Sequence, residues 1–396
     1  VTGPICKKSW FLAGHNYSGQ TEVLAKSCGV KNVGMLFTAK SPLTGWRFNT
    51  LLATTHIALC EVPKLLNSEL INTKLDLLKE FCSTYIEKPT INETQVLIEV
   101  YSSTINRSDL LETQGQSFGH VSGTQKILGA TCCGKIVKIG GDVSGFSIGD
   151  KVVAQGAGGW AEYNVADYRR VLPIPSNDMT FVQAGAYNSA VLTMHDAIIT
   201  NGLFKKDQTI LIQGATSGVG LMGLQIAKYL GAKTIFGSTR DNSKFNILKQ
   251  YHADICIDIS NKNWKDTVLN ATEQQGVDLV VDQLSGPFAS ANLSITKIGG
   301  RIINVGRLSG QSSEFDFNKH AERRITFIGT TGRTRNIQEH QKVAKSAFND
   351  LWDAIASKHL QMPIDSKFEF KDIDMALLRM AKNEHIGRIM LVFKPE

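Results

Sequence analysis

The chain has 396 residues, which is enough for two or three domains that each bury a core of their own. Its hydrophobic fraction of 42% and charged fraction of 20% are ordinary for a globular protein. The net charge of +7 is dispersed, and no basic run is longer than KK or RR, so nucleic acid is not an expected partner.

Nothing in the sequence indicates a membrane or secreted protein. No stretch reaches the roughly 18 uninterrupted apolar residues of a membrane span, and no signal peptide is recognisable. The seven cysteines form no CxxC pair and no regular framework, as is usual for reduced thiols. The sequence therefore predicts a cytoplasmic protein with no membrane partner.

Residues 1–82 have the pattern of a compact α/β fragment, with strands predicted over 29–37 and 48–59 and an amphipathic helix over 67–81. The stretches VTGPICKK, AGHNYSGQTEVLAKSCG and LLATTHIALCEVP resemble the middle of a 4-hydroxythreonine-4-phosphate dehydrogenase. The resemblance implies descent from a metal-dependent, NAD-using, decarboxylating dehydrogenase.

Two motifs of that family are present in altered or partial form. Gly19-Gln20-Thr21-Glu22 matches its substrate-contacting GHTE, with glutamine in place of histidine, and Thr54-Thr55-His56 matches the TTH that supplies one metal ligand. A catalytic divalent ion needs about three protein ligands. We therefore interpret His56 as a vestigial ligand, and the fragment as an appendage that is vestigial or contacts a second copy of the chain.

From Thr94 the pattern changes to short strands separated by Gly-Asp turns, which predicts a small, largely antiparallel barrel up to about residue 176. A helix is predicted over 177–200. Next come a short apolar strand over 209–213, the turn GATSGVG, a helix over 221–230 that stops at Gly231, and a strand over 234–238.

The turn GATSGVG is a candidate pyrophosphate site. Its pattern is AxxGxG, formed by Ala215, Gly218 and Gly220, and it stands between a strand and a helix. Small residues let backbone amides approach a pyrophosphate, and the helix dipole favours its charge, so Thr216, Ser217, Gly218 and Val219 are expected contacts. The alternative is a glycine turn that serves only helix–strand packing.

The second strand of this unit bears on the choice of dinucleotide. NAD-binding folds usually place an acidic residue about twenty positions further on, to hold the ribose hydroxyls. Thr239 occupies that place here, with Arg240 and Lys244 after it. An uncharged residue near two cations suits a 2′-phosphate, so NADPH is predicted over NADH. The alternative is that Arg240 and Lys244 are ordinary solvent-exposed residues at the start of a helix.

After Lys244, strands predicted over 253–259, 277–286, 299–310 and 325–332 alternate with helices, which indicates a doubly wound parallel sheet. Gly306 and Arg307 follow one strand's carboxyl end, where such folds bind ligand. A long helix from Ile337, a strand, a helix and a closing strand then have the pattern of a return to the barrel.

Residues 94–396 resemble a medium-chain dehydrogenase/reductase, most closely its zinc-free quinone-oxidoreductase branch. The motifs that carry the resemblance are INRSD, GGWAEY, GATSGVG, VDQLSG, GRIINVGRLSG and HIGRIML. It implies a GroES-like catalytic domain (83–186 and 335–396), a Rossmann NADP-binding domain (187–334) and a homodimer. The fold class is thus α/β, with the fragment 1–82 in front.

The residues at the positions of the superfamily's zinc ligands do not suit zinc, which requires thiolate, imidazole or carboxylate. Asn106 stands where the zinc enzymes have cysteine, and Gly129-Ala130-Thr131 where they have Gly-His-Glu. The four-cysteine structural lobe has no counterpart between Val153 and Ala161. Adjacent Cys132 and Cys133 would point to opposite faces of a strand, so we interpret them as barrel core.

The predicted function is hydride transfer from NADPH to a quinone or an α,β-unsaturated carbonyl, because such acceptors spread negative charge without a Lewis acid. The resemblance implies that Asn106 holds the nicotinamide side; the alternative is a residue that caps the turn at 107–109. No general acid is identified, and solvent could protonate the product.

Members of the quinone-oxidoreductase branch usually begin with about twenty residues that are mostly strand. At the junction near residues 78–93 these residues are missing. We therefore interpret the chain as a fusion of two neighbouring genes and expect an open barrel edge. Two alternatives are a catalytically idle fusion product that binds NADPH, and a bifunctional protein that retains the first family's activity.

Overall fold

The computed structural model of the protein describes residues 6–17, 19–40, 47–55, 57–85, 88–115 and 127–395. The chain forms two compact units, Val1–Lys88 and Pro89–Glu396. No helix in the described ranges is long and apolar enough to cross a membrane.

The described residues of the first unit form four α-helices and a two-stranded antiparallel sheet. Its elements are α1 (Lys7–Leu12), α2 (Gln20–Cys28), β1 (Leu36–Lys40), β2 (Arg47–Leu51), α3 (Val62–Leu65) and α4 (Ser68–Tyr85). Among its described residues only Gly19 is buried, and leucines such as Leu59 are largely exposed. This unit therefore has no closed hydrophobic core within the described residues.

Two strand predictions for this unit are wrong in their bounds, and one helix has no predicted counterpart. The strand expected over 29–37 begins only at Leu36, because Gly29 (φ +68°) ends α2 in a left-handed conformation and a loop follows. The strand expected over 48–59 ends at Leu51, and a 3₁₀ turn occupies Leu59–Glu61. Helix α2, which carries most of the Gly19–Glu22 motif, was not predicted.

The second unit begins with the predicted barrel. Its first elements are β3 (Gln95–Ile105), α5 (Arg107–Thr113), β4 (Thr131–Ile139), β5 (Lys151–Gln155), β6 (Tyr163–Asp167), β7 (Val171–Pro173) and α6 (Phe181–His195). Helix α6 starts four residues later than expected because Thr180 caps it in a reciprocal pair with Gln183. Cys132 and Cys133 are both buried and belong to different hydrophobic clusters, which confirms their opposite orientation.

The middle of the unit is a six-stranded, wholly parallel sheet. Its elements are β8 (Thr209–Ile212), α7 (Gly218–Tyr229), β9 (Thr234–Thr239), α8 (Phe245–Gln250), β10 (Ile255–Asp258), α9 (Trp264–Ala271), β11 (Val277–Asp282), α10 (Ala289–Ile295), β12 (Thr296–Asn304), α11 (Phe317–Glu322) and β13 (Thr326–Gly329). The strand order β10-β9-β8-β11-β12-β13 is that of the doubly wound Rossmann fold.

The tail returns to the barrel, as the sequence predicts. It consists of α12 (Ile337–Ala356), β14 (Ile364–Glu369), α13 (Ile373–Lys382) and β15 (Arg388–Val392). Strand β15 pairs antiparallel with β3 and completes the seven-stranded sheet, whose order is β14-β15-β3-β4-β5-β7 with β6 also on β3. Within the described ranges, no strand before Gln95 joins this sheet.

The largest hydrophobic cluster joins the two sheets through α6. Residues of α6 such as Met194 and Ala190 pack with Leu221 and Ile212 on one side and with Met390 of β15 on the other. Because these side chains are almost fully buried, α6 fixes the position of the parallel sheet against the barrel. The first residue of α7, Gly218, lies against Arg388, which bonds to Asn106 of the barrel part.

Candidate functional site

The turn after β8 has the geometry of an anion-binding turn. Gly214 has φ +66°, and Ser217 caps α7 by accepting a hydrogen bond from the amide of Gly220 at 3.0 Å. The Ser217 hydroxyl also donates to the carbonyl of Gly214 at 3.0 Å. The amides of Gly218 and Val219, in the first helical turn, have no partner within the helix and lie at its positive end.

Gly220 serves the packing of this turn. A Cβ at Gly220 would lie 2.6 Å from Ala215 Cα and 2.7 Å from Gly214 O, which are backbone atoms that cannot move aside. Ala215 is fully buried, and its amide donates to Ser238 O at 2.9 Å. Ala215 and Gly220 therefore shape the turn, and the contacts of Thr216, Ser217, Gly218 and Val219 with a pyrophosphate stay a prediction.

The predicted adenosine-side residues follow β9. Thr239 is buried, Arg240 is exposed and Lys244 is half-buried at the end of the 3₁₀ turn before α8. The nearest acid, Asp241, accepts hydrogen bonds from the Ser243 amide and hydroxyl, and these bonds lower the pKa of its carboxyl group. Asp241 is thus engaged in its own turn, beside two cations.

Asn106 is the centre of a hydrogen-bond network at the start of α5. Its amide nitrogen donates to Thr104 Oγ1 (3.3 Å) and Asp109 Oδ2 (2.9 Å), and its Oδ1 accepts from Ser189 Oγ (3.1 Å) and Arg388 Nη2 (2.8 Å). Asp109 also accepts from the Asn106 backbone amide, as a capping residue's partner does. Asn106 therefore takes part both in the N-terminal cap of α5 and in the hydrogen bonds to Thr104, Ser189 and Arg388.

Two arginines near Asn106 have no carboxylate partner within ion-pair distance among the described residues. Arg388 is 6% exposed; its Nη2 also donates to Ser189 Oγ (2.6 Å), and its Nε has no partner there. Burial lowers the pKa of Arg388 to about 10, and burial likewise lowers the pKa of Arg107. By contrast, three other arginines form ion pairs: Arg333 with Glu112, Arg335 with Asp196, and Arg379 with Asp365.

Arg388 also contacts Gly218, the first residue of α7, directly after the anion-binding turn (214–217). A Cβ at Gly218 would lie 2.5 Å from Arg388 Cδ, so the absence of a side chain at Gly218 leaves the space that the arginine occupies. A buried guanidinium without a counter-ion costs several kcal/mol, which an anionic ligand at this place would offset. Arg388 and Arg107 are not among the residues predicted from the sequence, although they lie inside the motifs HIGRIML and INRSD.

Gly306 and Arg307 follow β12, as predicted, with Gly306 half-buried and Arg307 exposed. The Gly306 carbonyl accepts from Ser285 Oγ (2.7 Å), and Ser285 adopts a left-handed φ of +56°. A Cβ at Gly306 would lie 2.5 Å from Gln283 O. The turns after β8, β11 and β12 therefore meet at the carboxyl edge of the sheet, where the strand order reverses and such folds bind ligand.

The positions that correspond to zinc ligands are occupied by a chain of hydrogen bonds. Thr104 Oγ1 and Thr131 Oγ1 lie 2.7 Å apart, and Asn106 bonds to Thr104. Burial raises the pKa of the neighbouring Cys132 thiol to about 12. The donor set here does not fit a zinc ion, and in the described parts of the chain no three His, Cys, Asp or Glu side chains cluster as metal ligands.

In the first unit, Gln20, Thr21 and Glu22 form the first turn of α2. Thr54 and Thr55 lie in the irregular segment after β2, whereas His56 is outside the described residues.

Three family models match the chain. "Alcohol dehydrogenase GroES-like domain" matches residues 92–176 and "Zinc-binding dehydrogenase" matches residues 218–349. "Pyridoxal phosphate biosynthetic protein PdxA" matches residues 1–93. The first two together cover more than half of the chain and coincide with the barrel and the parallel sheet.

Curated relatives match the two parts separately. The 4-hydroxythreonine-4-phosphate dehydrogenase of Synechococcus sp. (strain RCC307) is 53% identical over 91 residues, which are 23% of this chain and 28% of that protein. The low-reducing polyketide synthase drtA of Aspergillus calidoustus is 25% identical over 312 residues, 77% of this chain and 13% of that protein. The chain thus spans less than a third of either relative.

Solved structures share the fold of the second unit. The quinone oxidoreductase of Pseudomonas syringae pv. tomato DC3000 has a TM-score of 0.69 at 23% identity, and the CurK enoyl reductase has 0.68 at 21%. Each similarity covers 78% of this chain and 94% of the other. From residue 92 the chain belongs to the medium-chain dehydrogenase/reductase family, with an α/β fold of GroES-like and Rossmann-type parts, and it carries a PdxA-family segment in front.

Proposed function

We propose that the protein is an NADPH-dependent oxidoreductase that reduces a quinone or an α,β-unsaturated carbonyl without zinc. One observation carries the proposal: the buried cation Arg388 donates to Asn106 and packs its Cδ against Gly218, the first residue of α7. An anion-binding turn next to a buried guanidinium suits the diphosphate of a nicotinamide dinucleotide. The family membership and the fold shared with a quinone oxidoreductase and an enoyl reductase support it.

The chain's own residues would bind and orient the reactants. Gly218, Val219, Arg107 and Arg388 would hold the diphosphate, and Gly306 and Arg307 would line the nicotinamide side of the crevice. Asn106, fixed by Thr104, Asp109 and Ser189, would limit how deeply the nicotinamide enters. The bound dinucleotide supplies the hydride, and the protein supplies orientation and a dry site.

The chemistry of the acceptor follows from the side chains beside Asn106. Thr104, Thr131 and Asn106 offer hydroxyl and amide groups but no metal-binding set, so a simple ketone would lack the polarisation that zinc provides. A quinone or enone delocalises the charge by itself. Because Asp109 is the one buried acid that the described residues place in this network, and it is engaged in the cap, we propose that solvent protonates the product.

The test is NADPH oxidation by the purified protein against a panel of quinones and enones, with and without a chelator. We expect turnover of at least one acceptor, at a rate that the chelator does not change. Loss of turnover with chelator would contradict the zinc-free proposal. Binding of NADPH without turnover of any acceptor would favour the idle fusion product instead.

The preference for NADPH is a separate prediction. Changing Arg240→Ala and Lys244→Ala together should weaken NADPH binding by about tenfold, because both charges are at least partly exposed and their attraction to a 2′-phosphate is partly screened. NADH binding should be unchanged. Lys249→Ala, an exposed lysine of α8, is the matched control. Dissociation constants from quenching of tryptophan fluorescence would show the difference, and equal losses for both dinucleotides would refute the assignment.

The domain division (83–186 with 335–396, and 187–334) and the homodimer remain proposals. The pairing of β15 with β3 supports the first. Strand β13 supports the homodimer. It is an edge strand of the parallel sheet, next to β12, so its other edge could pair with a second copy, and Phe317 and Phe327 are exposed. Light scattering of the purified protein would measure the oligomeric state. We propose no separate activity for residues 1–82.

A further inference from the structure

Gln283 connects the two strands between which the sheet order reverses. It is the first residue after β11, and its side chain is 5% exposed. Its Nε2 donates to Gln213 O (2.9 Å) and Gly214 O (3.3 Å), at the end of β8, and its Oε1 accepts from Ser217 Oγ (3.2 Å). One buried amide thus crosses the crevice and holds both the start of the turn and the cap of α7.

The backbone of Gln283 holds a third segment. Its carbonyl accepts from the Leu308 amide at 3.2 Å, and it lies so close to Gly306 that any side chain at Gly306 would collide with it. Gln283, in the loop after β11, therefore contacts the loops after β8 and β12 as well. A displacement of Gln283 would move the anion-binding turn and the loop of Gly306 together.

The hydrogen bonds of Ser217 explain why the amide matters. A serine hydroxyl has one proton, which here is shared between Gly214 O (3.0 Å) and Gln283 Oε1 (3.2 Å). A lone pair of the same oxygen then faces the Gly220 amide at 3.0 Å. With the hydroxyl held in this direction, the first turn of α7 is fixed, and with it the direction of the Gly218 and Val219 amides.

We propose that Gln283 is a positioning residue of the dinucleotide site, which holds the turn Gly214–Ser217 so that the first amides of α7 face the diphosphate. The proposal rests on the proposed function and deepens it. Gln283 acts through Ser217 and Gly214 and not on the reacting atoms. Its loss should therefore change dinucleotide affinity and leave the chemical step unaffected.

The first measurement needs no ligand. Gln283→Met keeps the length of the side chain but removes its three hydrogen bonds, and Gln283→Glu keeps only the acceptor for Ser217. In the cofactor-free protein, amide hydrogen exchange at Gly220 should become about fivefold to tenfold faster in Gln283→Met, because the cap loosens, and should change less in Gln283→Glu, which keeps the acceptor for Ser217. Exchange in strand β9, which lies between β10 and β8, should not change. Unaltered exchange at Gly220 would overturn the proposal.

The second measurement is the dissociation constant for NADPH. We expect an increase of about tenfold for Gln283→Met and a larger one for Gln283→Glu, because its carboxylate would repel two carbonyls and the diphosphate. The turnover number at saturating NADPH should be retained. Folded variants that bind NADPH as tightly as the wild type would refute the proposed role of Gln283 but not the proposed function. A wild-type protein that binds neither NADPH nor NADH would refute the proposed function itself.

Discussion

Arg388→Met should weaken NADPH binding by about tenfold to a hundredfold, since a charge-assisted hydrogen bond contributes roughly 1.5–3 kcal/mol. The free protein should lose little stability or gain some. Its buried guanidinium has no carboxylate partner in the described structure, and removing an unpaired buried charge removes a desolvation cost. Thermal unfolding with and without NADPH would measure both effects on the same samples.

Arg379→Met is the matched control for Arg388. Arg379 is paired with Asp365, its Nε 2.5 Å from Oδ2, so its loss should lower stability and leave the shift caused by NADPH intact. Arg388→Lys should retain part of the affinity, because it keeps the charge but not the planar donors to Asn106 and Ser189. If Arg388→Met destabilised the free protein and bound NADPH normally, the arginine would be a structural residue only.

Gly220→Ala should abolish measurable dinucleotide binding and destabilise the protein by about 1–3 kcal/mol. The added Cβ would lie 2.6 Å from Ala215 Cα and 2.7 Å from Gly214 O, so the turn and the helix would have to separate. Such a shift moves the Gly218 and Val219 amides by a comparable distance. Denaturant unfolding and NADPH fluorescence titration would test the two effects.

The control for Gly220 is Gly329→Ala in β13. A Cβ at Gly329 meets no atom within 4 Å, so neither stability nor NADPH binding should change by much. A Gly220→Ala protein that behaved like Gly329→Ala would show that the turn tolerates a side chain. In that case the close packing against Ala215 would not be what shapes the anion-binding turn.

Local pattern was enough for the parallel half of the second unit. The order of strands and helices follows from hydrophobic runs, glycines and caps that lie within a few residues of one another. Helix α7, predicted over 221–230, begins three residues earlier, at Gly218, because Ser217 caps it. Even there, the predicted strand 299–310 is correct only as far as Asn304, because the loop of Gly306 is fixed by contacts with Gln283 and not by its own composition.

The first unit shows where local pattern fails. Apolar runs of five to ten residues suit a strand or a buried loop equally well, and without a closed core around them nothing in residues 29–59 selects between the two. The strands β1 and β2 are consequently shorter than, and displaced from, the predicted ones.

The sequence by itself determined the family resemblance, the fold class and the unit of strand, glycine turn and helix that begins with β8, because each is carried by neighbouring residues with a fixed local geometry. Only the tertiary structure decided how the site is held together. Arg388 reaches Asn106 across 282 positions of sequence and Gln283 reaches Ser217 across 66, and no periodicity or spacing indicates such contacts. They depend on how the closing strand β15 and the end of β11 are packed against α7, which only the buried side chains of the whole unit determine.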